Sequence, residues 1–300
     1  MKTYLATFAA LLLLSSPSHA ATQVDIAGPS NSDRFSDSIT VLPNGNFVVV
    51  DPTYDQLSPP VVNVGAVYLF NPNGHLISTL HGSTTNDQIG SSGITILQNG
   101  NFVVISASNW NGSRGAVTWG SATTGFIGGT SVTVSAANSL VGASAGDQVG
   151  IAGVTALTNG NYVVNSPQWD NTSPAAVNAG AVTWANGSTG ISGPVTAANS
   201  LVGSSASDFV GGNGVTPLTN GNYVVRSQNW RNTSPAAANA GAVTWGNGST
   251  GISGPVSASN SLVGTTVGDQ VGGDGVTPLT NGNYVVRSKN WRNKIGRAHV

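Results

Sequence analysis

Residues 214–226 read GVTPLTNGNYVVR, and this stretch decides the fold because it encodes a complete β-hairpin. Its return half, 223–226, is rich in residues that favour strands. Asn220-Gly221 lies between the halves, and this dipeptide forms the tight turn whose twist matches an antiparallel hairpin. Pro217 has no backbone N–H to donate, so its strand is expected at an edge or inner rim of the sheet.

The same hairpin recurs along the chain as the string Asn-Gly-Asn-aromatic-Val-Val. Its copies begin at intervals of 55, 60, 61 and 61 residues, at Asn44, Asn99, Asn159, Asn220 and Asn281. Two further strings recur in phase, Gly-Ala-Val from Gly65, Gly115, Gly180 and Gly241, and Asn-Ser-Leu-Val-Gly from Asn138, Asn199 and Asn260. Residues 178–203 and 239–264 are identical at 23 of 26 positions. Self-similarity at a fixed period is typical of repeat architectures, so we predict an array of about five units.

Each unit of about 61 residues is predicted to hold four short strands, the hairpin followed by strands such as 241–245 and 261–264. Four antiparallel strands in a unit of this size are typical of a propeller blade. We therefore predict an all-β, β-propeller-like array over residues 21–293, with its last unit truncated. A parallel β-helix stays open as the alternative, although the Asn-Gly turns favour antiparallel pairing.

Composition excludes several classes of protein. Charged residues make up 7% of the chain, all eleven acidic residues are Asp, and there are 40 Gly and 14 Pro, which argues against helices. The net charge of −1 provides no basic face for phosphates, so no nucleic-acid partner is expected. The absence of Cys rules out disulfide scaffolds, thiol nucleophiles and Cys-ligated zinc.

Residues 1–20 have the pattern of a secretory signal peptide. Lys2 precedes the apolar run 5–14, and small residues follow at Ser18 and Ala20. A run of this length is too short to span a bilayer, which needs about 20 residues. We expect cleavage after Ala20, a secreted or cell-surface location, and no transmembrane segment in the mature chain.

Residues 294–300, KIGRAHV, match nothing upstream, where the repeat predicts a loop and another Gly-Ala-Val strand. We interpret this anomalous tail as a sequence artefact, with a genuine divergent terminus as the alternative.

Several short motifs resemble a known repeat. Residues 33–35 (DRF), 65–70 (GAVYLF) and 87–90 (DQIG) resemble the FG-GAP repeat, the blade unit of integrin α-subunit propellers and of many bacterial exported proteins. The later units resemble a repeat of large filamentous-haemagglutinin-like bacterial proteins, and the likeness covers about 25–293. It implies a propeller and a surface role. Calcium-binding FG-GAP blades carry an acidic loop, whereas the turns 43–46 and 158–161 hold no carboxylate, so no calcium is expected there.

No residue is predicted to be catalytic, to bind a cofactor or to ligate a metal. The histidines His75 and His81 occur in one unit only, and a pair without carboxylates makes a weak metal site. Four aspartates recur in phase, at Asp87, Asp147, Asp208 and Asp269. Repetition in step with the fold predicts a structural role for them, in which they accept hydrogen bonds from turn backbone N–H groups.

Tryptophan recurs at two places in the unit. Those that end the third strand, Trp119, Trp184 and Trp245, are predicted to pack between blades. The others lie in the loop after the second strand, beside variable charges. The candidate ligand-binding loop residues are Trp110, Trp169, Asp170, Trp230, Arg231, Trp291 and Arg292. The alternative left open is that these indoles only pin their loops.

Two functional classes are consistent with these patterns. The first is an exported or cell-surface, non-enzymatic repeat module for adhesion or for protein or glycan interaction, with a glycan or an extracellular matrix or surface protein as partner. The second is the propeller scaffold of a secreted polysaccharide-acting enzyme whose catalytic part lies outside these residues.

Overall fold

A computed structural model describes residues 23–29 and 31–292 as five blade-like β units. The predicted leader 1–20 and the anomalous tail 294–300 lie outside these residues. Blade one contains β1 Ser38–Val41, β2 Phe47–Asp51, β3 Gln56–Leu57, β4 Pro60–Val61, β5 Ala66–Phe70 and β6 Leu76–His81. Blade two contains β7 Ile94–Ile96, β8 Phe102–Ser106, α1 Trp110–Ser113, β9 Ala116–Ser121, β10 Gly125–Phe126, β11 Ser131–Thr133 and β12 Ser139–Val141.

The later blades repeat this order. Blade three contains β13 Val154–Ala156, β14 Tyr162–Ser166, β15 Asn171–Thr172, β16 Ala175–Ala176, β17 Ala181–Ala185, β18 Gly193–Pro194 and β19 Ser200–Val202. Blade four contains β20 Val215–Pro217, β21 Tyr223–Ser227, β22 Asn232–Thr233, β23 Ala236–Ala237, β24 Ala242–Gly246, β25 Gly254–Pro255 and β26 Ser261–Val263. Blade five contains β27 Gly275–Pro278 and β28 Tyr284–Arg287.

Each blade is an antiparallel sheet built on the predicted hairpin. In blade four the strand order is β20-β21-β24-β26, and Val215 pairs with Val225 and Pro217 with Tyr223. The turn places Gly221 at φ +87°, a conformation that glycine adopts without steric cost. Pro217 lies in the edge strand, as its missing N–H requires. The predicted all-β, blade-like array is confirmed, and antiparallel pairing within the blades excludes the parallel β-helix.

The pairing between blades was not predicted from the sequence. Three short strands, β11, β18 and β25, cross to the preceding blade and pair in parallel with its outermost strand, β6, β12 and β19 respectively. The outer edges of blades one, two and three are therefore each completed by the blade that follows.

Four hydrophobic cores lie between successive blades, and a fifth cluster lies on blade one and the residues that precede it. Val103 and Leu140 of blade two, for example, belong to one buried cluster with Tyr162 and Val164 of blade three. Equivalent clusters join blades one and two, three and four, and four and five. Because each of the four cores between blades is shared, the apolar faces that form it are buried only when the two blades are stacked.

A carbonyl oxygen joins each of two pairs of blades at a polar contact that we call the clamp. The Gly187 oxygen of blade three accepts hydrogen bonds from Asn99 Nδ2, Asn101 Nδ2 and Trp119 Nε1 of blade two, at 2.8, 3.0 and 2.9 Å. The Gly248 oxygen of blade four is bound in the same way by blade three. Its donors are Asn159, Asn161 and Trp184, at 2.8, 2.8 and 2.9 Å. The prediction that the strand tryptophans pack between blades is confirmed for these two.

Helix is confined, in the described ranges, to the four residues of α1, three of which, Asn111, Gly112 and Ser113, have positive φ. Across those same residues, no helix has the length and apolar character that crossing a membrane would require.

Candidate functional site

The loop after the second strand forms a small hairpin in three blades. We call these hairpins the arms: 56–61 in blade one, 171–176 in blade three and 232–237 in blade four. Each strand of an arm has only two residues, and the turn between them is Ser-Pro. Blade two has α1 at this place instead. The arms lie within the loops that the sequence indicates as candidate ligand-binding loops.

A buried aspartate fixes the base of the loop after the second strand in blades two to five. Asp147 Oδ2 accepts the backbone N–H groups of Ala143 and Ser144, both at 2.8 Å, and its Oδ1 accepts that of Asp170 at 3.0 Å. The same three bonds form at the other recurrent aspartates, Asp87, Asp208 and Asp269. Their predicted role as acceptors for turn N–H groups is confirmed.

Burial also shifts the titration of Asp147 and Asp208. The pKa of Asp147 and that of Asp208 are raised, because burial disfavours the charged form. The backbone N–H donors oppose this shift in both, and at Asp208 the positive charge of Arg231 opposes it as well. The carboxylate oxygens already have backbone partners, so they are occupied in holding the loops.

The loop tryptophans are inside the molecule. Trp169 and Trp230 are each 3% exposed, and both belong to the cores between blades. Trp110 is buried between blades one and two, and Trp291 is partly buried against the last core. Stacking on a sugar needs an accessible ring face, and the rings of Trp110, Trp169 and Trp230 are covered by the cores between blades.

The charged candidates lie at the base of the arms. Asp170 Oδ1 accepts the backbone N–H of Asn178 at 2.7 Å and so ties the two ends of the arm together. Asp55, whose role was not predicted from the sequence, makes the same bond to Asn63 in blade one. Arg231 and Arg292 are exposed, and each donates its backbone N–H to the recurrent aspartate of the preceding repeat, Asp208 and Asp269 respectively.

A cleft of about 460 Å³ lies beside the arm of blade three. Its walls come from three successive loops: Ser144, the arm itself with Asp170, and Ala206 of the loop that precedes blade four. The arm is held against that last loop by hydrogen bonds from Asn171 Nδ2 to the Gly203 oxygen and from the Ser207 N–H to the Val177 oxygen, both 2.9 Å. These hydrogen bonds hold two walls of the cleft, the arm and the loop before blade four, against each other.

Exposed aliphatic side chains surround the arms. Val177 is 61% exposed at the edge of the cleft, and Val267, in the loop beside the arm of blade four, is 57% exposed. Leu57 and Val62 are similarly exposed on and next to the arm of blade one. Val62 and Val177 occupy the same position of the repeat, and exposed apolar side chains grouped beside loops are a feature of interaction surfaces.

Blade four carries the residues of the same cleft. Ser205, Asn232, Thr233 and Ala236 correspond in the repeat to Ser144, Asn171, Thr172 and Ala175, and Asn232 Nδ2 again binds the next loop, at the Gly264 oxygen, 2.8 Å away. The charge differs, because Arg231 stands where blade three has Asp170. The loops of blades three and four thus share this hydrogen bond and carry charges of opposite sign at Asp170 and Arg231.

Five segments of the chain match one family model, described as "Repeat of unknown function (DUF5650)". They are residues 41–91, 96–151, 156–212, 217–273 and 278–298. The chain belongs to this family. The five matches correspond to the five blades, which confirms the predicted repeat array and its register.

Comparison with solved structures finds a similar chain described as a protein of unknown function from Bacteroides caccae. It is 13% identical, with a TM-score of 0.28, over 79% of this chain and 69% of that one. No match was found among curated proteins.

Proposed function

We propose that this chain is a non-enzymatic interaction module that acts outside the cytoplasm, and that it binds its partner with the arm clefts. The observation that carries the proposal is the solvent-open cleft beside the arm of blade three, most of whose lining residues recur in blade four. Loops on a rigid scaffold are the usual place for binding residues. The leader-like pattern of residues 1–20 supports the location, as do the resemblances to FG-GAP blades and to haemagglutinin-like exported repeats.

The cleft favours a polypeptide partner, such as an extracellular matrix or surface protein. Its exposed contact groups are the hydroxyl of Thr172, the backbone of the arm and the aliphatic side chain of Val177. Apolar contacts at the centre with polar groups around them are typical of protein interfaces. Stacking of a sugar on Trp169 is not possible in this arrangement, because Trp169 is buried.

Repetition adds strength to weak contacts. A partner that engages the clefts of blades three and four together gains avidity, which can exceed the single-site affinity by about 10²–10⁴-fold. The opposite charges of Asp170 and Arg231 favour a partner with alternating charge along its surface. This arrangement suits adhesion to a repetitive matrix polymer.

The recurrent acids do not supply chemistry in this proposal. Each oxygen of Asp147 and Asp208 that a reaction would use is bound to backbone N–H groups. A general acid or base needs a free oxygen within reach of substrate. We therefore assign these residues to the scaffold.

Binding to an array of purified matrix proteins and glycans tests the proposal. We expect saturable binding to a matrix protein, weakened about tenfold or more by Val177→Asp together with Val267→Asp, because a buried charge without a partner is costly in an interface. Both side chains are exposed, so the melting temperature should stay within about 2 °C of the parent.

Ile127→Asp is the matched control, since Ile127 is a similarly exposed aliphatic residue in blade two, which has no arm. It should leave binding unchanged. Binding to glycans alone, no binding on either array, or an equal loss in the control would each contradict the proposal.

A further inference from the structure

The outer edges of blades two and three are covered by one recurring stretch, which we call the edge segment. It is residues 185–195 (ANGSTGISGPV), which cover blade two, and 246–256 (GNGSTGISGPV), which cover blade three. The two copies differ at one position of eleven. Each contacts the preceding blade at two places.

The first contact is the clamp, in which the Gly187 or Gly248 oxygen accepts three side-chain hydrogen bonds from the preceding blade. The second is the parallel pairing of Gly-Pro with the outermost strand, followed by a valine. Val256 N–H donates to the Val202 oxygen at 3.0 Å, and the Val256 side chain is buried in the core of blades three and four. Val195 does the same with Val141 one blade earlier, also at 3.0 Å.

Blade four has the receiving strand and two open donors of the clamp, Asn222 and Trp245, while the third, Asn220 Nδ2, donates to the Gly282 oxygen of blade five at 3.2 Å. No edge segment covers this edge among the described residues. Its outermost strand β26 pairs on one side only, and β26 is half-buried where β12 and β19 are fully buried. Trp245, the counterpart of Trp119 and Trp184, is 41% exposed, and no acceptor for its Nε1 lies within the described ranges. A cleft of about 440 Å³ opens there, lined in part by Asn222, Trp245 and Leu262.

We propose that the outer edge of blade four is a docking edge for an edge segment of a further repeat of this family, that is, a polypeptide with the sequence GNGSTGISGPV. The proposal does not depend on the arm clefts. It rests on continuity with an interface that the molecule already forms at blades two and three.

The chemistry of the docking edge matches such a segment. Asn222 already orients its side chain as Asn161 does, since its Oδ1 accepts the Gly248 N–H at 2.9 Å as Asn161 Oδ1 accepts that of Gly187 at 3.0 Å. Its Nδ2 and the Trp245 indole are then free to donate to an incoming carbonyl, while β26 offers an unpaired sheet edge. Addition of an extended segment to an exposed edge, with main-chain bonds for affinity and a side-chain pocket for specificity, is an established mode of peptide binding.

The test uses the full chain and a fluorescein-labelled peptide of sequence GNGSTGISGPV, followed by fluorescence anisotropy. We expect saturable binding that Trp245→Phe weakens about tenfold, the loss of one hydrogen bond to a desolvated carbonyl. Trp184→Phe is the matched control, because its clamp is already filled by Gly248, and it should leave peptide binding unchanged. A peptide that ends in Asp instead of Val should not bind.

A free peptide loses conformational entropy when it binds, and this loss can outweigh its contacts. A second protein, which we call the extended chain, therefore tests the same contact with the edge segment covalently attached. In this extended chain, a copy of residues 232–264 follows Arg292, which places an edge segment in phase with blade four. The measured quantity is acrylamide quenching of Trp245, taken as the difference between each protein and its Trp245→Phe variant. Shielding of Trp245 in the extended chain supports the proposal.

An extended chain in which Trp245 stays as quenchable as in the parent overturns the proposal, and so does a scrambled peptide that binds equally well. Self-association of the parent chain that rises with concentration and is abolished by Trp245→Phe would assign the edge to a second copy instead. Sedimentation velocity at two concentrations measures that outcome.

Discussion

The indole Nε1 of Trp184 donates a 2.9 Å hydrogen bond to the backbone oxygen of Gly248 in the following blade. Only a glycine can place its carbonyl oxygen at this position, because a Cβ on Gly248 would lie 1.7 Å from the Gly221 oxygen. The side chain of one blade and the backbone of the next are thus fitted to each other. This contact fixes the spacing of the array together with the apolar cores.

Substitution of Trp184 by Phe measures the strength of that contact. The ring is kept and the indole N–H is lost, while Asn159 and Asn161 still satisfy the oxygen. We therefore expect a loss of about 1–2 kcal/mol in the free energy of unfolding, the range for one net hydrogen bond with some packing. Trp245→Phe should cost less than about 0.5 kcal/mol, because Trp245 is exposed. Chemical denaturation of both variants checks the difference, and equal losses would contradict the role of the clamp.

Removal of a buried aspartate should loosen a whole loop. Asp208→Ala leaves the N–H groups of Ser204, Ser205 and Arg231 without their acceptor inside the protein. The three donors are partly buried, so water can replace part of the lost bonding, and we expect a total loss of about 1–3 kcal/mol. Hydrogen exchange at Ser204 and Ser205 should accelerate as well. Asp25→Ala, at an exposed aspartate, is the control and should change stability by less than about 0.5 kcal/mol.

Calcium should leave the protein unchanged. The ion needs six to eight oxygen ligands, and the recurrent aspartates already bind backbone N–H groups with both oxygens. The part of the chain that the structure describes holds no group of three or more His, Cys, Asp or Glu that could hold a metal ion. We expect the melting temperature to be the same in calcium and in chelator. A rise of several degrees with calcium would show a site that this geometry does not contain.

The hairpins could be predicted from the sequence because their signals are local. Asn220-Gly221 sets the turn, and Tyr223 and the valines after it set the return strand, so β20 and β21 lie within two residues of the prediction. The structural role of Asp208 could also be predicted, because its recurrence in phase is visible in the sequence.

The arms and the crossing strands could not be predicted, because their pairing is set by neighbouring blades. Gly254-Pro255 has poor strand propensity, and it forms β25 only because Leu201 and Val202 of the preceding blade offer an edge. For the same reason, the sequence does not show whether the loop tryptophans are buried or exposed. A Trp in a polar loop has the same sequence signal whether it faces solvent or the core of the next interface.

The loop tryptophans should act through stability. Trp230→Ala removes a ring that is 3% exposed in the core between blades three and four, and such substitutions cost about 3–5 kcal/mol. Trp230→Phe should cost much less, because the indole Nε1 has no acceptor among the described residues and most of the ring volume is kept. Trp184→Phe serves as the comparison, since that indole does lose a bond.

Binding is the second readout for these variants. At a temperature where Trp230→Phe is fully folded, its attachment to any matrix partner should equal that of the parent, and Trp169→Phe should behave in the same way. A Phe variant that keeps its melting temperature and loses attachment would place the indole in the binding surface. That result would contradict the assignment of the loop tryptophans to the core and restore them as ligand contacts.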